Sequence, residues 1–514
     1  MNEPKILIID LGSQYTLVIG RTLRELGYRS AILSPKQAAV WLTNNRPKGI
    51  ILSGGPASVN DADAPAPPGQ ILNRNIPILG ICYGMQWLAK ESGGKIIAAV
   101  ENKDYGSAQV TLDISDPLFA DMVPLQTVWM SHGDSVAFDG LGSRYFPIGR
   151  ATQGNCSSAA LRFRGTPWWG VQFHPEVVET PCGKQMLENF VGGICRAKRD
   201  WQPQSVIEEI RQQAAAYGKI KVLGGFSGGV DSSTLSAILA PVMGSNLQAI
   251  CIDGGQLRQD ELNEIVRHAQ ACGVFLKIVK AEDRFLTALD GLTDAAKKRI
   301  AFRMVYKAIL KEESALFDLS GEEIVLQGSL ATDFIESGQH SGSGSAEIKQ
   351  HHNTELGFKR ELHPFKNLFK YEVRALARAL GLPDSIALRQ PFPGPGLFLR
   401  VNGVPVTRER LELVRWADAE VTRILREAGL WSEISQLVVA LNGVPTVGVK
   451  GDGRIYAGSI VVRGVQTSDF MTATGYQIPA EVRRRISREI TKHPQVVRVF
   501  FDETDKPPAT TEME

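Results

Sequence analysis

The stretch KVLGGFSGGVDSSTLSAIL, from Lys221 to Leu239, joins an apolar run, a glycine-rich turn and an apolar helical pattern. Its first residues predict a buried strand, and the residues from Asp231 onward predict a helix. A strand that leads directly into a helix is the repeating unit of α/β proteins with parallel sheets, in which ligands bind at the carboxyl ends of the strands. We therefore expect a ligand site at the turn between these two elements.

The turn itself fits two kinds of chemistry. Gly225, Ser227 and Gly229 match the G-x-S-x-G elbow of serine hydrolases. The adjacent glycines also let backbone N–H groups wrap around an anion at a helix N-terminus. The hydrolase interpretation requires a histidine base further along the chain, and no downstream histidine stands in a strand-end setting. The pattern therefore favours a phosphate-binding loop over residues 227–233, although the Walker sequence of ordinary nucleoside triphosphatases is absent.

The same alternation of strand and helix patterns extends outward on both sides of this loop. Apolar runs such as KILIID, KGIILSGGP, IPILGICYG and PWWGVQFHPE predict strands in the first part of the chain. The Pro/Gly stretch RQPFPGPGL closes the second α/β pattern, and a long helical pattern with two strand-like stretches follows it. We predict two successive parallel-sheet α/β domains followed by a smaller α+β domain. The predicted boundaries are 1–197, 198–389 and 390–514.

Composition excludes several broad classes of function. The chain has 514 residues, a formal net charge of +2 and 43% hydrophobic residues. It has no apolar run of about 18 residues or more, and its N-terminus leads directly into a strand pattern. Its six cysteines lack C-x-x-C spacing, which argues against a disulfide framework or a cysteine zinc site. We expect a cytoplasmic protein that binds neither membranes nor nucleic acid.

A second chemical pattern lies in the first predicted domain. GICYG, Gly80 to Gly84, is the cysteine form of the elbow motif, and the helix that follows it favours a thiolate at Cys82. FHPE supplies His174 and Glu176 as a base and its orienting acceptor, which strand alternation would place on one face. The adjacent glycines of LSGGP, residues 52–56, offer N–H groups that could stabilise an oxyanion.

These residues resemble the class I (triad) glutamine amidotransferase family over residues 1 to about 195. The resemblance implies that Cys82 is the nucleophile, His174 the base and Glu176 its orienter. It implies an oxyanion hole formed by Gly55 and the backbone of Tyr83. It implies that glutamine is seated by Gln86, Ser131, His132, Gly133 and Asp134. The product of such a domain is ammonia.

The SGGVDSS loop resembles that of the N-type ATP pyrophosphatases, which cleave ATP between its first two phosphates to adenylate a carbonyl oxygen. The resemblance implies that Asp231 also helps to hold Mg²⁺ with ATP, because carboxylate and phosphate oxygens suit this hard cation. It implies that pyrophosphate is held by Ser227, Gly228, Gly229, Val230, Asp231, Ser232 and Ser233.

The order of the three predicted domains resembles the glutamine-hydrolysing GMP synthetase family across essentially the whole chain, with matching stretches such as DFIES, PFPGPGL and KPPATTEME. The implied reaction converts XMP, ATP, glutamine and water to GMP, AMP, pyrophosphate and glutamate. The resemblance implies a homodimer formed through the C-terminal domain. It implies that XMP is contacted by Arg299, Arg400, Lys506 and Glu512.

The family resemblance also implies a lid over the ATP site at about residues 337–360. Its expected functional residues are Lys349, His351, His352 and Asn353. The sequence departs from the family pattern near the acceptor pocket, where Gln390 replaces a usual histidine and the tail reads TEME. Two alternatives therefore stay open: a paralogous ATP-dependent amidotransferase for a different oxopurine nucleotide, and a non-catalytic regulatory homologue.

Overall fold

The structure is a computed structural model that describes residues 5–98, 104–137, 144–152, 158–317, 324–330, 360–467, 473–506 and 508–513. The described part of the chain divides into two compact units, one up to Ser205 and the other from Val206 onward. The finer division into three domains at 197 and 389 stays a prediction. Among the described residues, no helix is both long and apolar enough to cross a membrane.

The first unit is built on a nine-stranded sheet in the order β2-β1-β3-β4-β11-β10-β9-β6-β7. Strands β2, β1, β3, β4 and β11 run parallel, as predicted, whereas β10, β9, β6 and β7 continue the sheet in antiparallel pairs. A short antiparallel pair, β5 and β8, stands apart from it. The strands are β1 (Ile6–Ile9), β2 (Ser30–Leu33), β3 (Gly49–Leu52), β4 (Ile78–Ile81), β5 (Ile96–Ala98), β6 (Asp104–Leu112), β7 (Leu125–His132), β8 (Asp134–Val136), β9 (Tyr145–Ala151), β10 (Ala160–Phe163) and β11 (Trp168–Val171).

Local sequence explains how the helices of this unit begin and pack. Helix α2 starts at a capping box in which the Ser34 hydroxyl accepts from the Gln37 amide, with Pro35 in the first turn. Helix α1 buries Ile19 and Leu23, which are four residues apart and so lie on one face. The helices are α1 (Thr16–Glu25), α2 (Pro35–Asn44), α3 (Tyr83–Glu91) and α4 (Gly183–Glu188), with a π-helical turn at Asn189–Ile194. Helix α5 (Pro203–Ala215) spans the division between the units.

The second unit begins with a five-stranded, fully parallel sheet in the order β14-β13-β12-β15-β16. Strand β12 lies at its centre and leads into helix α6, which confirms the α/β interpretation of the opening stretch. The strands are β12 (Val222–Gly225), β13 (Leu247–Asp253), β14 (Leu276–Lys280), β15 (Ile324–Leu326) and β16 (Glu361–Leu362). The helices are α6 (Val230–Met243), α7 (Glu261–Ala271), α8 (Glu282–Leu289), α9 (Ala295–Phe317), α10 (Lys370–Ala379) and α11 (Asp384–Ala387).

A second sheet follows in the same unit, with the order β17-β18-β19-β20 and with β21 parallel to β19. Its long hairpin, β18 with β19, packs against helix α12, whose apolar residues repeat at helical spacing. The elements are β17 (Val401–Asn402), α12 (Arg408–Glu427), β18 (Gln436–Lys450), β19 (Gly453–Gln466), β20 (Thr474–Gly475), α13 (Ala480–Ile490) and β21 (Val496–Phe501). The predicted α/β class with a following α+β region is confirmed.

Candidate active sites

Cys82 stands at the turn between β4 and α3. Its backbone has φ of 49° and ψ of −104°, a conformation that L-residues rarely adopt, and its N–H donates to the Val171 carbonyl at 2.7 Å. The flanking glycines are sterically required, since a Cβ on Gly80 would lie 2.5 Å from the carbonyl carbon of Gly84. The turn therefore holds the cysteine at the N-terminal start of helix α3.

His174 and Glu176 are both buried and directly paired. The Nδ1 atom of the imidazole lies 2.8 Å from Oε1 of the carboxylate. Burial disfavours the charged ring, but the Glu176 charge and hydrogen bonds with Cys82 and Glu176 outweigh it and hold the pKa of His174 well above its usual value. The expectation that strand alternation aligns the pair is wrong, because β11 ends at Val171 and both residues lie in the following turn.

The surroundings of the sulfur include a residue that the sequence did not single out. Gln172 is fully buried, and its Nε2 lies 3.7 Å from Sγ of Cys82, while the Ser131 carbonyl oxygen lies at the same distance. The Nε2 of Gln86 in turn lies 3.4 Å from Oε1 of Gln172. Gln172 comes directly after a buried strand and two positions before the histidine, which is the signal that could have identified it.

The predicted oxyanion region lies at the ends of two adjacent strands. A Cβ on Gly54 would come within 3.0 Å of Cε1 of His174, and one on Gly55 within 2.7 Å of the Leu11 carbonyl oxygen. Glycine therefore allows this backbone to approach the histidine closely. The amide of Tyr83 is the first of helix α3, where N–H groups have no partner inside the helix.

The predicted glutamine-binding residues meet at the junction of β7 and β8. Nε2 of Gln86 donates to the Asp134 carbonyl at 2.8 Å, and Nδ1 of His132 lies 3.1 Å from the same oxygen. The Asp134 carboxylate accepts a hydrogen bond from Ser58. Ser131 and Gly133 stand on either side of His132, so the fold brings this predicted set together beside Cys82.

The glycine-rich turn lies between the end of β12 at Gly225 and the start of α6 at Val230. Gly228 has φ of 68°, and a Cβ there would lie 2.8 Å from Nη1 of Arg389. The amides of Ser227 and Gly229 donate to serine hydroxyls within the loop, both at 3.3 Å. Among the described residues, the hydroxyl of Ser227 has no hydrogen bond with a histidine, so the geometry favours the phosphate loop over the hydrolase elbow.

An ion pair sits at the start of helix α6. Oδ2 of Asp231 lies 2.5 Å from Nζ of Lys370, while its Oδ1 is buried without a hydrogen-bond partner among the described residues. Lys370 was not predicted from the sequence. Its signal was a lysine at the first position of helix α10, which the helix dipole disfavours unless an anion lies nearby.

Arg389 was not predicted either, because the Pro/Gly composition of RQPFPGPGL indicates a boundary rather than a site. Its Nη1 donates to the Ser227 carbonyl at 3.3 Å, and its Nη2 pairs with Glu261. The ring Nδ1 of His268 lies 2.9 Å from the Gly228 carbonyl oxygen. Side chains distant in sequence thus fix the outer backbone of the phosphate loop.

A buried charge cluster links two of the predicted acceptor residues. Arg400 is 0% exposed, and its guanidinium lies 3.1 Å from Oδ1 of Asp418 and 3.2 Å from Oε1 of Glu512. The other carboxylate oxygen of Asp418 lies 3.3 Å from Nε of Arg258. Gln436 donates to the same oxygen of Glu512 at 2.6 Å.

The remaining acceptor and lid predictions have different outcomes. Arg299 lies half-buried on helix α9, and Lys506 forms a backbone bridge with Ala473.

The unusual Gln390 ties the start of β18 in place, since it donates to the Ile434 carbonyl at 2.9 Å and accepts from the Leu437 amide at 3.1 Å. The predicted lid residues Lys349, His351, His352 and Asn353 lie outside the described residues.

Comparison with known proteins adds independent findings. Residues 7–193 match the family described as Glutamine amidotransferase class-I, and residues 423–513 match the GMP synthase C terminal domain. A curated relative from Thermus thermophilus, named GMP synthase, glutamine-hydrolyzing, is 44% identical and covers 99% of this chain and 100% of its own. Relatives of the same name from Ligilactobacillus salivarius and Treponema denticola are 41% and 39% identical. Each covers 99% of this chain, and the shares of their own chains are 98% and 97%.

Proposed function

Because this chain belongs to the glutamine-hydrolysing GMP synthase family, it makes GMP with glutamine as the nitrogen donor, and we propose that its two candidate sites divide that reaction between them. The observation that carries the proposal is the presence in one chain of a paired Cys82–His174–Glu176 site and a phosphate loop with the Asp231–Lys370 ion pair. The first releases ammonia, and the second activates the acceptor.

In the first site, Cys82 attacks the carboxamide carbon of glutamine. The proton shared by Cys82 and His174 is held by His174, whose raised pKa favours the imidazolium, whose Nδ1 faces Glu176 and whose Nε2 therefore faces the sulfur. The imidazolium then protonates the leaving nitrogen, and ammonia departs. Water hydrolyses the resulting thioester to glutamate, with His174 again as base. The amides of Gly55 and Tyr83 are the proposed donors to the developing oxyanion.

In the second site, the loop 227–233 holds the phosphates of ATP at the N-terminus of α6. The position-2 oxygen of XMP attacks the α-phosphorus, and pyrophosphate leaves. Ammonia then attacks the purine carbon at position 2, which carries this oxygen. The carbon–oxygen bond breaks, and the oxygen departs as part of AMP to give GMP. Adenylation makes this oxygen a good leaving group, which the free purine carbonyl is not.

The residues at the phosphate loop suit a magnesium ion bound with ATP. The buried Oδ1 of Asp231 is a carboxylate oxygen without a hydrogen-bond partner in the described part of the chain. No group of three metal-ligating side chains occurs among the described residues, and Mg²⁺ typically takes one or two carboxylates together with substrate phosphates. When bound, the ion neutralises charge on the phosphates. Asp231 is its proposed protein ligand.

The acceptor assignment rests on the buried cluster around Arg400. Glu512 offers a carboxylate for purine N–H groups. The guanidinium of Arg400 is fully buried, and both of its Nη atoms are bonded to Asp418, Leu437 and Glu512, so it supports that carboxylate, and its own contact with XMP stays a prediction. Lys506 and Arg299 are proposed to add positive charge for the phosphate of XMP. Because Gln390 has a structural role at β18, its departure from the family pattern does not by itself indicate a different acceptor.

The test of this function is AMP formation from MgATP and ammonia, with XMP present or absent. We expect AMP and GMP to rise together only with XMP, as followed by chromatography and mass spectrometry. A panel of other oxopurine nucleotides distinguishes a paralogous acceptor. A folded protein that forms AMP with none of them, and does not hydrolyse glutamine, would instead be the regulatory homologue.

Replacement of Glu176 by glutamine should change the pH profile of glutamine hydrolysis. The raised pKa of His174 keeps the imidazolium populated at neutral pH, and this form is lost as pH rises through that pKa. Without the Glu176 charge the pKa of His174 falls, so the alkaline limb of activity should move to lower pH. The exposed neighbour Glu179, changed to glutamine, is the matched control. An alkaline limb unchanged in Glu176→Gln contradicts the assignment.

We further propose a homodimer formed through the β18–β19 hairpin. Val449 and Tyr456 are 75% and 63% exposed, and the register pairs Val447 with Tyr456, so the three apolar side chains share one face. Val449→Asp should shift the protein from dimer to monomer in size-exclusion chromatography with light scattering. Val40→Asp, at a valine 70% exposed in the first unit, should leave the dimer intact. A Val449→Asp dimer would refute this interface.

A further inference from the structure

The C-terminal segment, of which the structure describes residues 502–506 and 508–513, is organised around one buried arginine. Arg463 lies on β19 and is 1% exposed. Its Nη1 donates to the Thr504 carbonyl at 2.7 Å, its Nη2 to that of Thr510 at 3.1 Å, and its Nε to that of Thr511 at 3.3 Å. All three guanidinium nitrogens therefore donate hydrogen bonds to backbone carbonyls of this segment.

These contacts bring carbonyls six and seven residues apart in sequence to a single side chain, so the segment must curve around the guanidinium. One carboxylate, Asp502, lies 3.1 Å from Nη1 and balances the charge. A buried cation is costly unless its N–H groups are satisfied, and here carbonyl oxygens satisfy them. The path of the described part of the segment is thus tied to Arg463.

The segment is fastened at two further points. Ala473 and Lys506 exchange backbone hydrogen bonds of 3.0 and 2.7 Å. The Gly475 amide donates to Oδ1 of Asp505 at 2.9 Å, and a Cβ on Gly475 would collide with the carbonyl oxygen of Glu503. The backbone can approach β20 this closely only because residue 475 is glycine.

Glu512 follows directly after the last carbonyl that Arg463 holds. Its carboxylate reaches Arg400 at 3.2 Å and Gln436 at 2.6 Å. A displacement of about 1 Å at Thr511 would break these contacts, because hydrogen bonds weaken steeply beyond their usual range. The position of the Glu512 carboxylate therefore depends on the three hydrogen bonds that Arg463 donates to the backbone of the segment.

We propose that Arg463 is a positioning residue for the acceptor nucleotide. It acts through the backbone of the C-terminal segment, which it holds so that Glu512 and Lys506 are presented to XMP. This inference rests on the proposed function, in which Glu512 and Lys506 contact that nucleotide.

The test uses the full-length protein and ammonia-dependent GMP synthesis at varied XMP. For Arg463→Gln we expect the KM for XMP to rise by about a hundredfold, the effect of misplacing a binding group by about 1 Å, with a much smaller change in kcat. Glutamine hydrolysis without nucleotides should be unchanged, because its residues lie in the first unit. Arg463→Lys keeps the positive charge but cannot donate to three carbonyls in the planar arrangement of a guanidinium. Its KM for XMP should therefore lie between those of wild type and Arg463→Gln.

Gly475→Ala supplies a second variant that keeps Arg463, since the new methyl group would collide with the Glu503 carbonyl and displace the segment. It should raise the KM for XMP in the same direction, even where Arg463→Gln fails to fold. Glu512→Gln tests the proposed contact between the Glu512 carboxylate and XMP directly. If Glu512→Gln raises the KM while folded Arg463→Gln and Gly475→Ala leave it within about twofold of wild type, the positioning role is overturned and the acceptor site stands. If Glu512→Gln has no effect, the assignment of Glu512 and this inference fail together.

Discussion

Replacement of Cys82 by alanine will abolish GMP formation from glutamine and leave GMP formation from ammonia intact. Alanine has no nucleophile, and nothing else in the elbow can form the thioester. Loss of the nucleophile from a hydrolytic triad lowers turnover by on the order of 10⁶-fold, so we expect glutamine-dependent synthesis to fall below detection. Synthesis from ammonium chloride at alkaline pH should match wild type, because adenylation is proposed to use residues of the second unit only.

The measurement is GMP formation with each nitrogen donor at saturating MgATP and XMP. Cys182→Ala is the matched control, since this thiol lies in the same unit and its burial raises its pKa, which makes it a poor nucleophile. It should retain both activities. Equal loss of both activities in Cys82→Ala would contradict the division of the reaction between two sites.

The parts of these sites that sequence could predict are those whose geometry is local. The elbow at Cys82 needs glycines only two residues away on each side, and the phosphate loop needs a strand, glycines and a helix in one continuous stretch. Each pattern consists of consecutive residues, and the steric requirements of a turn over a few consecutive residues determine which residue types can occupy it. The parallel strands that carry both sites were predicted for the same reason, because their apolar runs are short and continuous.

What sequence could not predict depends on long-range packing. Lys370 reaches Asp231, and Arg389 reaches the Ser227 carbonyl, across more than a hundred residues of chain. No periodicity encodes such a contact. The antiparallel half of the first sheet was missed because alternation does not reveal which neighbour a strand will pair with. His174 and Glu176 were paired correctly for the wrong reason, since a turn rather than a strand brings them together.

Replacement of Asp231 by asparagine should suppress GMP formation from both nitrogen donors while glutamine hydrolysis persists. Asparagine keeps the size of the side chain but removes the charge that faces Lys370 and that would hold Mg²⁺ at the phosphates. The unpaired Lys370 would then compete for the phosphates without the compensating ion. Loss of one preorganised electrostatic contact costs about 10²- to 10³-fold in turnover, and we expect a decrease at the upper end of that range.

AMP release and GMP formation should be measured with ammonia and with glutamine, together with glutamine hydrolysis in the absence of nucleotides. Asp260→Asn is the matched control, because Asp260 is an exposed aspartate at the N-terminal end of helix α7 and has φ of 58°, which asparagine tolerates as well as aspartate. A folded Asp231→Asn protein that still releases AMP at the wild-type rate would remove Asp231 from the adenylation site. We expect Asp231→Asn to lose AMP and GMP formation in parallel while it retains glutamine hydrolysis. Cys82→Ala should show the opposite pattern, with glutamine hydrolysis lost and ammonia-dependent synthesis retained. Together these results would assign each half of the reaction to its own site, because no single defect in folding produces both patterns.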